Sequence, residues 1–589
     1  MKTIIEIINE EVKQAFLLKG YEEKFGMITL SNRPDLCQYQ CNGALAAAKQ
    51  YKMAPIKIAQ EIVELLQTNN LFKEIIAIMP GFINITLSDE FFANYLNKMR
   101  AAKDFGCEKE TNPKTIIIDY GGPNIAKPLH VGHMRSAIIG ESLKRLLRFM
   151  GNKVIGDAHL GDWGTQMGLV IAELKRRNPE LVYFDESYTG QYPKEAPFSI
   201  TELEGIYPAA SEYSKSNPEF LEEAKHITYL LQNGHRGYTA IWNHMLEVSV
   251  SDLQKIYATL NVSFDLWKKE SDAQPYIPDM IKYFKENNYT RISEGALVVD
   301  VKTDSDTKEI PPCMILKTDG ATLYNTTDLA TIVERMKLFS PDRIIYIMDK
   351  RQDLYIETVF RCARKTKLVG ADTQLDFIGF GTMNGKDGKP FKTREGGVMR
   401  LENLINSVNE EVYRKIIENR VMEEEEAREV AAKVGLAALK YGDLSNQASK
   451  DYVFDVDRFT SFEGDTGPYI LYTIVRIKSI LTKYKEIKKE AGGEGVILPS
   501  SRHSEQALML ELTKFNEMIY SAYCETAPQK ICAYIYELSN AFNTFYHDTK
   551  IITEEDVNKQ TSWVTLITLV QDILLTCIDL LGFEAPMRM

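Results

Sequence analysis

Two histidines three positions apart, His130 and His133, are the residues whose type and spacing point most clearly to chemistry. They lie where a loop containing glycine and proline passes into a predicted helix. The free N–H groups of a helix N-terminus attract anions, and two imidazole groups there could donate hydrogen bonds to phosphate oxygens. Gly132 between them would let a flat base approach the backbone, because glycine has no Cβ. The pattern favours a nucleotide site in which donors stabilise charge on a phosphoryl group.

An isolated pair of this kind also has simpler interpretations. The two histidines could cap a helix or lie on the surface, and a zinc site is conceivable, for which only His159 lies nearby as a third ligand. The flanking elements favour the phosphate site instead. A β-branched strand at 115–119 precedes the loop, and Gly151 ends a helix whose apolar residues recur at helical spacing: Ile139, Leu143, Leu146, Leu147 and Met150.

Alternating strand and helix signals surround this pair. Short apolar segments at 115–119, 153–157 and 343–348 are separated by long helical patterns. Such alternation predicts an α/β fold with a Rossmann-like, doubly wound parallel sheet. A segment at about 180–240, rich in Tyr, Glu, Pro and Ser, interrupts the rhythm and is interpreted as an insertion.

The length of 589 residues exceeds what one hydrophobic core supports, so we expect several domains. Residues 1–110 combine helices with the strand-like PGFINITL and predict an α+β appendage. Residues 111–424 hold the α/β signals. From 425 to 589 strand signals nearly vanish, which predicts an all-α C-terminal domain.

The composition limits the classes of protein to which the chain could belong. Hydrophobic residues make up 44% and charged residues 26%, and we find no uncharged apolar run of about 18 residues. The N-terminus lacks the pattern of a signal peptide. Eight scattered cysteines include no C-x-x-C pair, which predicts reduced thiols and no bound zinc in a soluble cytoplasmic protein. Because the net charge is −12, any RNA-binding surface must be local.

Two longer stretches, PNIAKPLHVGHMRSAIIG and HLGDWGTQMG, resemble the signature of arginyl-tRNA synthetases, including the HIGH-type element of class I enzymes. Further similar segments follow the family's order from PGFINI to LGFEAPMRM. The resemblance implies an arginine–tRNA ligase, which joins arginine to ATP and then to the terminal adenosine 2′-OH of tRNA-Arg. It also implies that activation requires bound tRNA and that ATP acts as its Mg²⁺ complex. We expect a monomer, and the insertion looks too short for an editing domain.

The resemblance also assigns the phosphate contacts. His130 and His133 would stabilise the pentavalent transition state, with Gly132 beside the adenine. A basic loop, GTMNGKDGKPFKTREGG at 381–397, stands where class I enzymes have a KMSKS-like element, from which it departs. In the family a lysine just upstream of the HIGH element takes over part of that role, and Lys127 occupies this place. The loop cations are Lys386, Lys389, Lys392 and Arg394.

The amino acid pocket must recognise a guanidinium group, which is planar, permanently charged and suited to carboxylates. By resemblance, Asp119 at the end of the first strand and Asp328 in LYNTTDLA bind this group, with Tyr324 beside them. Asn124 and Gln352 would position the α-amino and carboxylate ends. Buried acids left without a partner cost several kcal/mol, so neutral side chains should be rejected.

The helical C-terminus resembles an anticodon-binding domain, where splayed bases can stack on aromatic side chains. Leu471 and Met587 replace residues usual in the family, which puts contacts at those positions in doubt. The first domain resembles an appendage that touches the outer corner of tRNA, although CQY replaces the usual GDY. Candidate tRNA-binding residues are Tyr469, Tyr472, Arg476, Asn543, Phe545 and Tyr546.

Two other classes share part of this pattern. A small-molecule adenylyltransferase would have the same H-x-G-H phosphate site, but it would need neither a guanidinium pocket nor a long helical domain. Pyrophosphate exchange independent of tRNA would favour it. A catalytically silent relative that only binds RNA should have lost His130, His133 or Lys127, and all three are present.

Overall fold

The structure is a computed structural model that describes residues 1–33, 35–127, 129–389, 399–419, 422–488 and 495–589. The N-terminal elements form a four-stranded antiparallel sheet in the order β1-β2-β4-β3, flanked by helices. The predicted strand PGFINITL is found as β4. The bounds are α1 Ile4–Leu18, β1 Ile28–Leu30, β2 Tyr39–Cys41, α2 Gly43–Tyr51, α3 Pro55–Leu66, β3 Phe72–Ile78, β4 Phe82–Leu87 and α4 Asp89–Ala101.

The central part begins with alternating strands and helices, continues through a run of helices to the small sheet β7-β8-β9, and then resumes the alternation. The bounds of the first half are β5 Thr115–Asp119, α5 Val131–Phe149, β6 Lys153–Asp157, α6 Thr165–Arg177, α7 Ile200–Ser216, α8 Pro218–Gln232, α9 Arg236–Thr259, α10 Glu270–Ala273 and α11 Ile277–Glu286. The second half contains β7 Arg291–Ser293, β8 Ala296–Val299, β9 Cys313–Leu316, α12 Tyr324–Phe339, β10 Arg343–Asp349, α13 Asp353–Lys365, β11 Gln374–Phe380, β12 Met383–Asn384, α14 Leu401–Asn419, α15 Glu424–Leu444, β13 Tyr452–Val453 and α16 Val456–Phe459.

The main sheet is parallel throughout, in the order β11-β10-β5-β6. Its strands are apolar on both faces, and Ile116, Ile117 and Ile118 of β5 are buried, as expected for a parallel sheet covered by helices. The chain proceeds from β5 to β6 on one side and reaches β10 on the other. The crevice between β5 and β10 is therefore a topological switch point, where α/β proteins bind ligands.

The described residues of the C-terminal part form mainly helices, which are α17 Gly467–Lys488, α18 His503–Thr513, α19 Phe515–Cys524, α20 Gln529–Asp548 and α21 Val557–Leu581. By length and composition alone, α21 is apolar enough to cross a membrane, although its sequence includes Asp572 and Asp579. Most of this helix is buried within the protein, with Trp563 and Leu566 almost inaccessible. It has the character of a bundle core helix.

Contacts between backbone positions divide the chain into two compact units. One contains residues 1–109, 462–579 and 584–589, and the other contains residues 110–461 and 580–583. Within the first unit, the Asn97 side chain donates a hydrogen bond to the Ile497 carbonyl at 2.8 Å. The predicted fold class, a Rossmann-like parallel sheet with an α+β appendage and an all-α C-terminal part, is confirmed. The division at 110 and 424 stays a prediction.

Candidate active site

A cavity of about 670 Å³ opens at the carboxyl ends of β5 and β10, at the switch point of the parallel sheet. Side chains from β5, from the start of α5 and from α12 converge on it, although they are far apart in the sequence. The predicted site residues that line it are Asp119, Asn124, His130, Gly132, His133, Asp328 and Gln352.

The two histidines form the N-terminal cap of α5. The His130 Nδ1 atom accepts a hydrogen bond from the Gly132 N–H at 3.1 Å. The backbone N–H of His130 donates to His133 Nδ1, also at 3.1 Å. Their rings lie 3.8 Å apart between centroids. A Cβ at position 132 would come within 2.8 Å of the His130 ring, so the glycine is required for this close arrangement.

These hydrogen bonds fix the tautomers of both rings. Because each Nδ1 is an acceptor, a neutral imidazole must carry its proton on Nε2. Burial, and then the neighbouring Lys127 charge, lower the pKa of His130. Burial and the neighbouring His130 lower the pKa of His133 to about 3. At neutral pH the pair therefore presents two uncharged Nε2–H donors.

Lys127 lies beside this pair but does not line the cavity. Its ammonium group is 4.3 Å from the centre of the Tyr207 ring, which belongs to helix α7. The same helix supplies Glu204, whose carboxylate pairs with Arg400 at 2.7 Å. Met399 accepts a hydrogen bond from the Val131 N–H at the start of α5. Helix α7 thus contacts Lys127, just before the histidines, and Arg400, the residue after Met399.

The acid at the end of β5 already has a cationic partner. The Arg335 guanidinium donates to Asp119 Oδ2 at 2.6 Å and to Asp157 Oδ2 at 2.8 Å. Asp157 also lies 3.6 Å from His159. Among the described residues, Asp119, Asp157 and His159 form the one group with metal-compatible spacing, and Arg335 already supplies positive charge there.

Two further acids face the cavity without an ion pair in the described part of the chain, Asp328 and Glu270. Asp328 accepts a short hydrogen bond from the Tyr355 hydroxyl. Burial, followed by repulsion from Asp119, raises the pKa of Asp328. Burial and the nearby Asp328 raise the pKa of Glu270 to about 7. An acid pair of this kind favours a cationic ligand, because each carboxylate lacks a counter-charge.

Some predicted residues lie elsewhere. Tyr324 begins α12 at the rim, where it is 61% exposed and does not line the cavity. Lys389 is exposed in a turn with Gly385, and Lys386 pairs with Asp455 and Asp457. Lys392 and Arg394 lie outside the described residues.

Four functional candidates were missed by the sequence analysis: Glu270, Arg335, Tyr355 and Tyr207. Arg335 follows Asp328 by seven positions on one helix, so helical spacing could have placed both on one face. Glu270 gives no such local signal. The backbone before it runs beside the end of β6, with Leu160 and Lys269 forming a parallel bridge, and only this long-range pairing brings Glu270 to the cavity.

Family comparisons bear on this geometry. Residues 96–456 match tRNA synthetases class I (R), catalytic domain; residues 2–87 match the arginyl tRNA synthetase N terminal domain; and residues 470–589 match the DALR anticodon binding domain. The arginine–tRNA ligase of Agathobacter rectalis is 59% identical over the full length of both chains. That of Alkaliphilus oremlandii is 58% identical, again over both full lengths.

The chain belongs to the arginyl-tRNA synthetases. Solved structures agree at the level of fold. Arginyl-tRNA synthetase from Plasmodium falciparum aligns over the whole of both chains with a TM-score of 0.79 at 24% identity. The Thermus thermophilus enzyme aligns equally completely, with a TM-score of 0.75 at 21% identity.

The C-terminal helices of this arginyl-tRNA synthetase bring most of the predicted tRNA-binding residues together. The Arg476 guanidinium lies 4.6 Å from the Tyr472 ring centre and 5.3 Å from that of Tyr546. It donates to Asn543 Oδ1 at 2.6 Å, and the Asn543 amide donates to the Tyr469 hydroxyl at 2.9 Å. All five side chains are half-buried, so each keeps an exposed part.

Two residues of the same helices are unsuited to contact RNA. Phe545, which was a candidate, is fully buried and packs against Trp563 with ring centres 6.0 Å apart. Leu471, which replaces a polar residue usual in the family, is also fully buried. Met587, the other departure, is 81% exposed.

Proposed function

We propose that the cavity of this arginyl-tRNA synthetase activates arginine with ATP, and that the same site then transfers arginine to tRNA-Arg. The observation that carries the proposal is the placement of two acids without ion pairs, Asp328 and Glu270, across one cavity from the neutral pair His130 and His133. The acids suit a cationic amino acid. The imidazole donors at a helix N-terminus suit a triphosphate.

The nucleotide would bind along the start of α5, with Gly132 beside the adenine. The Nε2–H groups of His130 and His133 would donate to the α-phosphate, where negative charge grows in the transition state. Because these donors are already fixed by backbone hydrogen bonds, they need no reorganisation during the reaction. We place the β- and γ-phosphates near Lys127 and the basic loop, with Lys389, Lys392 and Arg394 as its contacts.

ATP would enter as its Mg²⁺ complex. Of the donor set Asp119, Asp157 and His159, both aspartates already hold the Arg335 guanidinium, so these residues do not fit a resident metal ion. Mg²⁺ commonly binds through phosphate oxygens and water rather than an all-protein cage.

The guanidinium group of arginine would pair with Asp328 and Glu270. Asp119 contributes its Oδ1 atom, since only Oδ2 bonds to Arg335 among the described contacts. A guanidinium offers donors along several directions in one plane and can serve more than one carboxylate. Asn124 and Gln352 would hold the α-amino and carboxylate ends, with Tyr324 at the rim.

The proposed reaction has two steps, activation of arginine and its transfer to tRNA. A carboxylate oxygen of arginine attacks the α-phosphorus and the bond to the β-phosphate oxygen breaks, so that pyrophosphate leaves and arginyl-adenylate forms. The terminal adenosine 2′-OH of the tRNA then attacks the activated carbonyl, loses its proton, and AMP leaves with the bonding electrons. We expect the first step to require bound tRNA.

The tRNA would be held at two places. The cluster of Tyr469, Tyr472, Arg476, Asn543 and Tyr546 offers stacking surfaces and donors for unpaired anticodon bases. Residues 1–110 would touch the outer corner of the tRNA. We further propose a monomer that acts in the cytoplasm without a membrane partner, which sedimentation and fractionation would test.

A charging panel tests the assignment of the pocket. We expect Asp328→Asn to raise the KM for arginine by at least about 10-fold, because a guanidinium loses a charged partner. The wild-type enzyme should charge arginine in preference to lysine and ornithine with tRNA present. The exposed Asp372→Asn is the matched control and should behave as wild type. An Asp328→Asn variant that keeps both the arginine KM and the arginine preference would remove Asp328 from the pocket.

A further inference from the structure

Among the described hydrogen bonds, the Tyr355 hydroxyl of helix α13 reaches the proposed arginine pocket through one other side chain. Its hydroxyl donates a short hydrogen bond to Oδ2 of Asp328 on the neighbouring helix α12. Asp328 lines the cavity, whereas Tyr355 does not. The Tyr355 ring instead packs, partly buried, against the hydrophobic core beneath the sheet. Any effect of the hydroxyl on a ligand must therefore pass through Asp328.

The two aspartates of the pocket are held in different ways. Asp119 is held by the Arg335 cation, which cancels much of its charge. Asp328 is held by a neutral hydroxyl, which fixes one oxygen without adding a positive charge. Of the described residues, no Lys or Arg forms an ion pair with Asp328. The charged or titratable groups around it are His159, Asp119, Arg335, Glu270, Tyr346 and Tyr355. Asp328 is thus both oriented and free to pair with a cationic ligand.

We propose that Tyr355 is a positioning residue for arginine selection, because its hydroxyl holds Asp328 Oδ2 and aims the remaining lone pairs of the carboxylate at the guanidinium group. The proposal rests on the guanidinium pocket proposed above. A planar guanidinium donates along fixed directions, so it gains most from a carboxylate of fixed orientation. A lysine ammonium rotates its three donors freely and gains less. Fixing Asp328 therefore favours arginine over lysine.

The substitution Tyr355→Phe tests this directly, because it removes the hydroxyl and keeps the ring in the core. We expect the KM for arginine to rise about 10-fold, as for loss of a hydrogen bond to a charged group. The kcat and the KM for ATP should change less than about twofold, and the preference for arginine over lysine should fall. A purely structural role would lower kcat and the unfolding temperature without this selectivity loss.

Tyr534→Phe is the matched control. Tyr534 is a buried tyrosine of the C-terminal helices whose hydroxyl has no hydrogen-bond partner among the described residues. It measures the general effect of removing a buried hydroxyl from this chain. We expect its kinetic constants to equal those of the wild-type enzyme.

A double-mutant cycle with Asp328→Asn separates the possible failures. If Tyr355 acts through Asp328, Tyr355→Phe should change the arginine KM less than twofold in the Asp328→Asn background. An unchanged arginine KM in Tyr355→Phe, with a raised one in Asp328→Asn, would overturn the role of Tyr355 and keep the pocket. An unchanged arginine KM in Asp328→Asn would overturn the pocket itself. If Tyr355→Phe raised the arginine KM equally in the wild-type and the Asp328→Asn enzymes, Tyr355 would not act through Asp328.

Discussion

The proposed pocket predicts that arginine binding depends on pH through Glu270. Burial and the nearby Asp328 raise the pKa of this carboxyl group to about 7 in the free protein. A bound guanidinium favours the charged carboxylate and lowers that pKa, so binding of arginine releases a proton. The affinity for arginine is therefore fully present at pH values above the pKa of Glu270 in the free enzyme, and it is lost as the pH falls below that pKa.

The size of the effect follows from the ionised fraction of Glu270. With a pKa of about 7, the carboxyl group is about nine-tenths ionised at pH 8 and about one-tenth ionised at pH 6. If only the ionised form binds arginine, the KM for arginine should rise about 10-fold between these values. His159 adds to the same trend, because the charges of Asp157, 3.6 Å away, and of Asp119 outweigh burial and raise its pKa, and its protonated ring would repel the guanidinium.

Initial rates of aminoacylation at saturating ATP and tRNA, from pH 6 to pH 8, would measure this dependence. Glu270→Gln should raise the arginine KM at pH 8, and should reduce the change between pH 8 and pH 6 to about 3-fold or less. Calorimetry in two buffers of different ionisation enthalpy would report the released proton. The reasoning fails if the wild-type arginine KM is flat over this range, or if Glu270→Gln keeps the full slope.

Three further predictions concern the other sites. His133→Ala should lower kcat about 100-fold or more in pyrophosphate exchange. The size of this loss should change little with pH above pH 6, because His133 is already neutral there in the wild-type protein. A loss that depends strongly on pH would contradict a neutral donor. Tyr207→Leu should raise the KM for ATP about 3-fold, because Lys127 loses the ring that holds its ammonium group in place. Tyr207→Phe keeps the ring and should leave the KM for ATP unchanged. Equal KM values in the two variants would show that the ring does not position Lys127. Arg476→Ala should raise the KM for tRNA at least about 5-fold, while Arg502→Ala, which also removes a guanidinium stacked on a ring, should not.

Local patterns in the sequence predicted the parts of the site that are built locally. The strand at 115–119, the loop and α5 are contiguous, so their order alone places His130 and His133 at a helix start beside a strand end. The apolar alternation likewise predicted the parallel sheet. Asp328 and Gln352 were placed by resemblance, and the structure brings both to the cavity that the histidines line.

Pairing between distant residues was not predictable from local pattern. Asp119 was expected to meet the guanidinium group of the substrate, and in the structure its Oδ2 atom also meets the guanidinium group of Arg335, 216 positions away. An acid at a strand end gives no sign of which cation it pairs with, because that depends on how α12 packs against the sheet. Glu270 was missed for the same reason.

The Arg335 pairing changes how the pocket must achieve its selectivity. Arg335 offsets the charges of Asp119, which lines the cavity, and of Asp157 beside it. Without it, Asp119 and Asp157 would add their charges to those of Asp328 and Glu270, and repulsion would keep some of these acids protonated and poor at holding a cation. With it, among the described residues that line the cavity, the carboxylates without an ion pair are those of Asp328 and Glu270. The guanidinium group of Arg335 thus leaves the Asp328 and Glu270 carboxylates available for the guanidinium group of the substrate. Charge alone, however, would admit lysine as readily as arginine. Discrimination between arginine and lysine must then depend on how rigidly the two carboxylates are oriented. The Tyr355 hydroxyl orients Asp328 without neutralising it, whereas a second cation in its place would neutralise it.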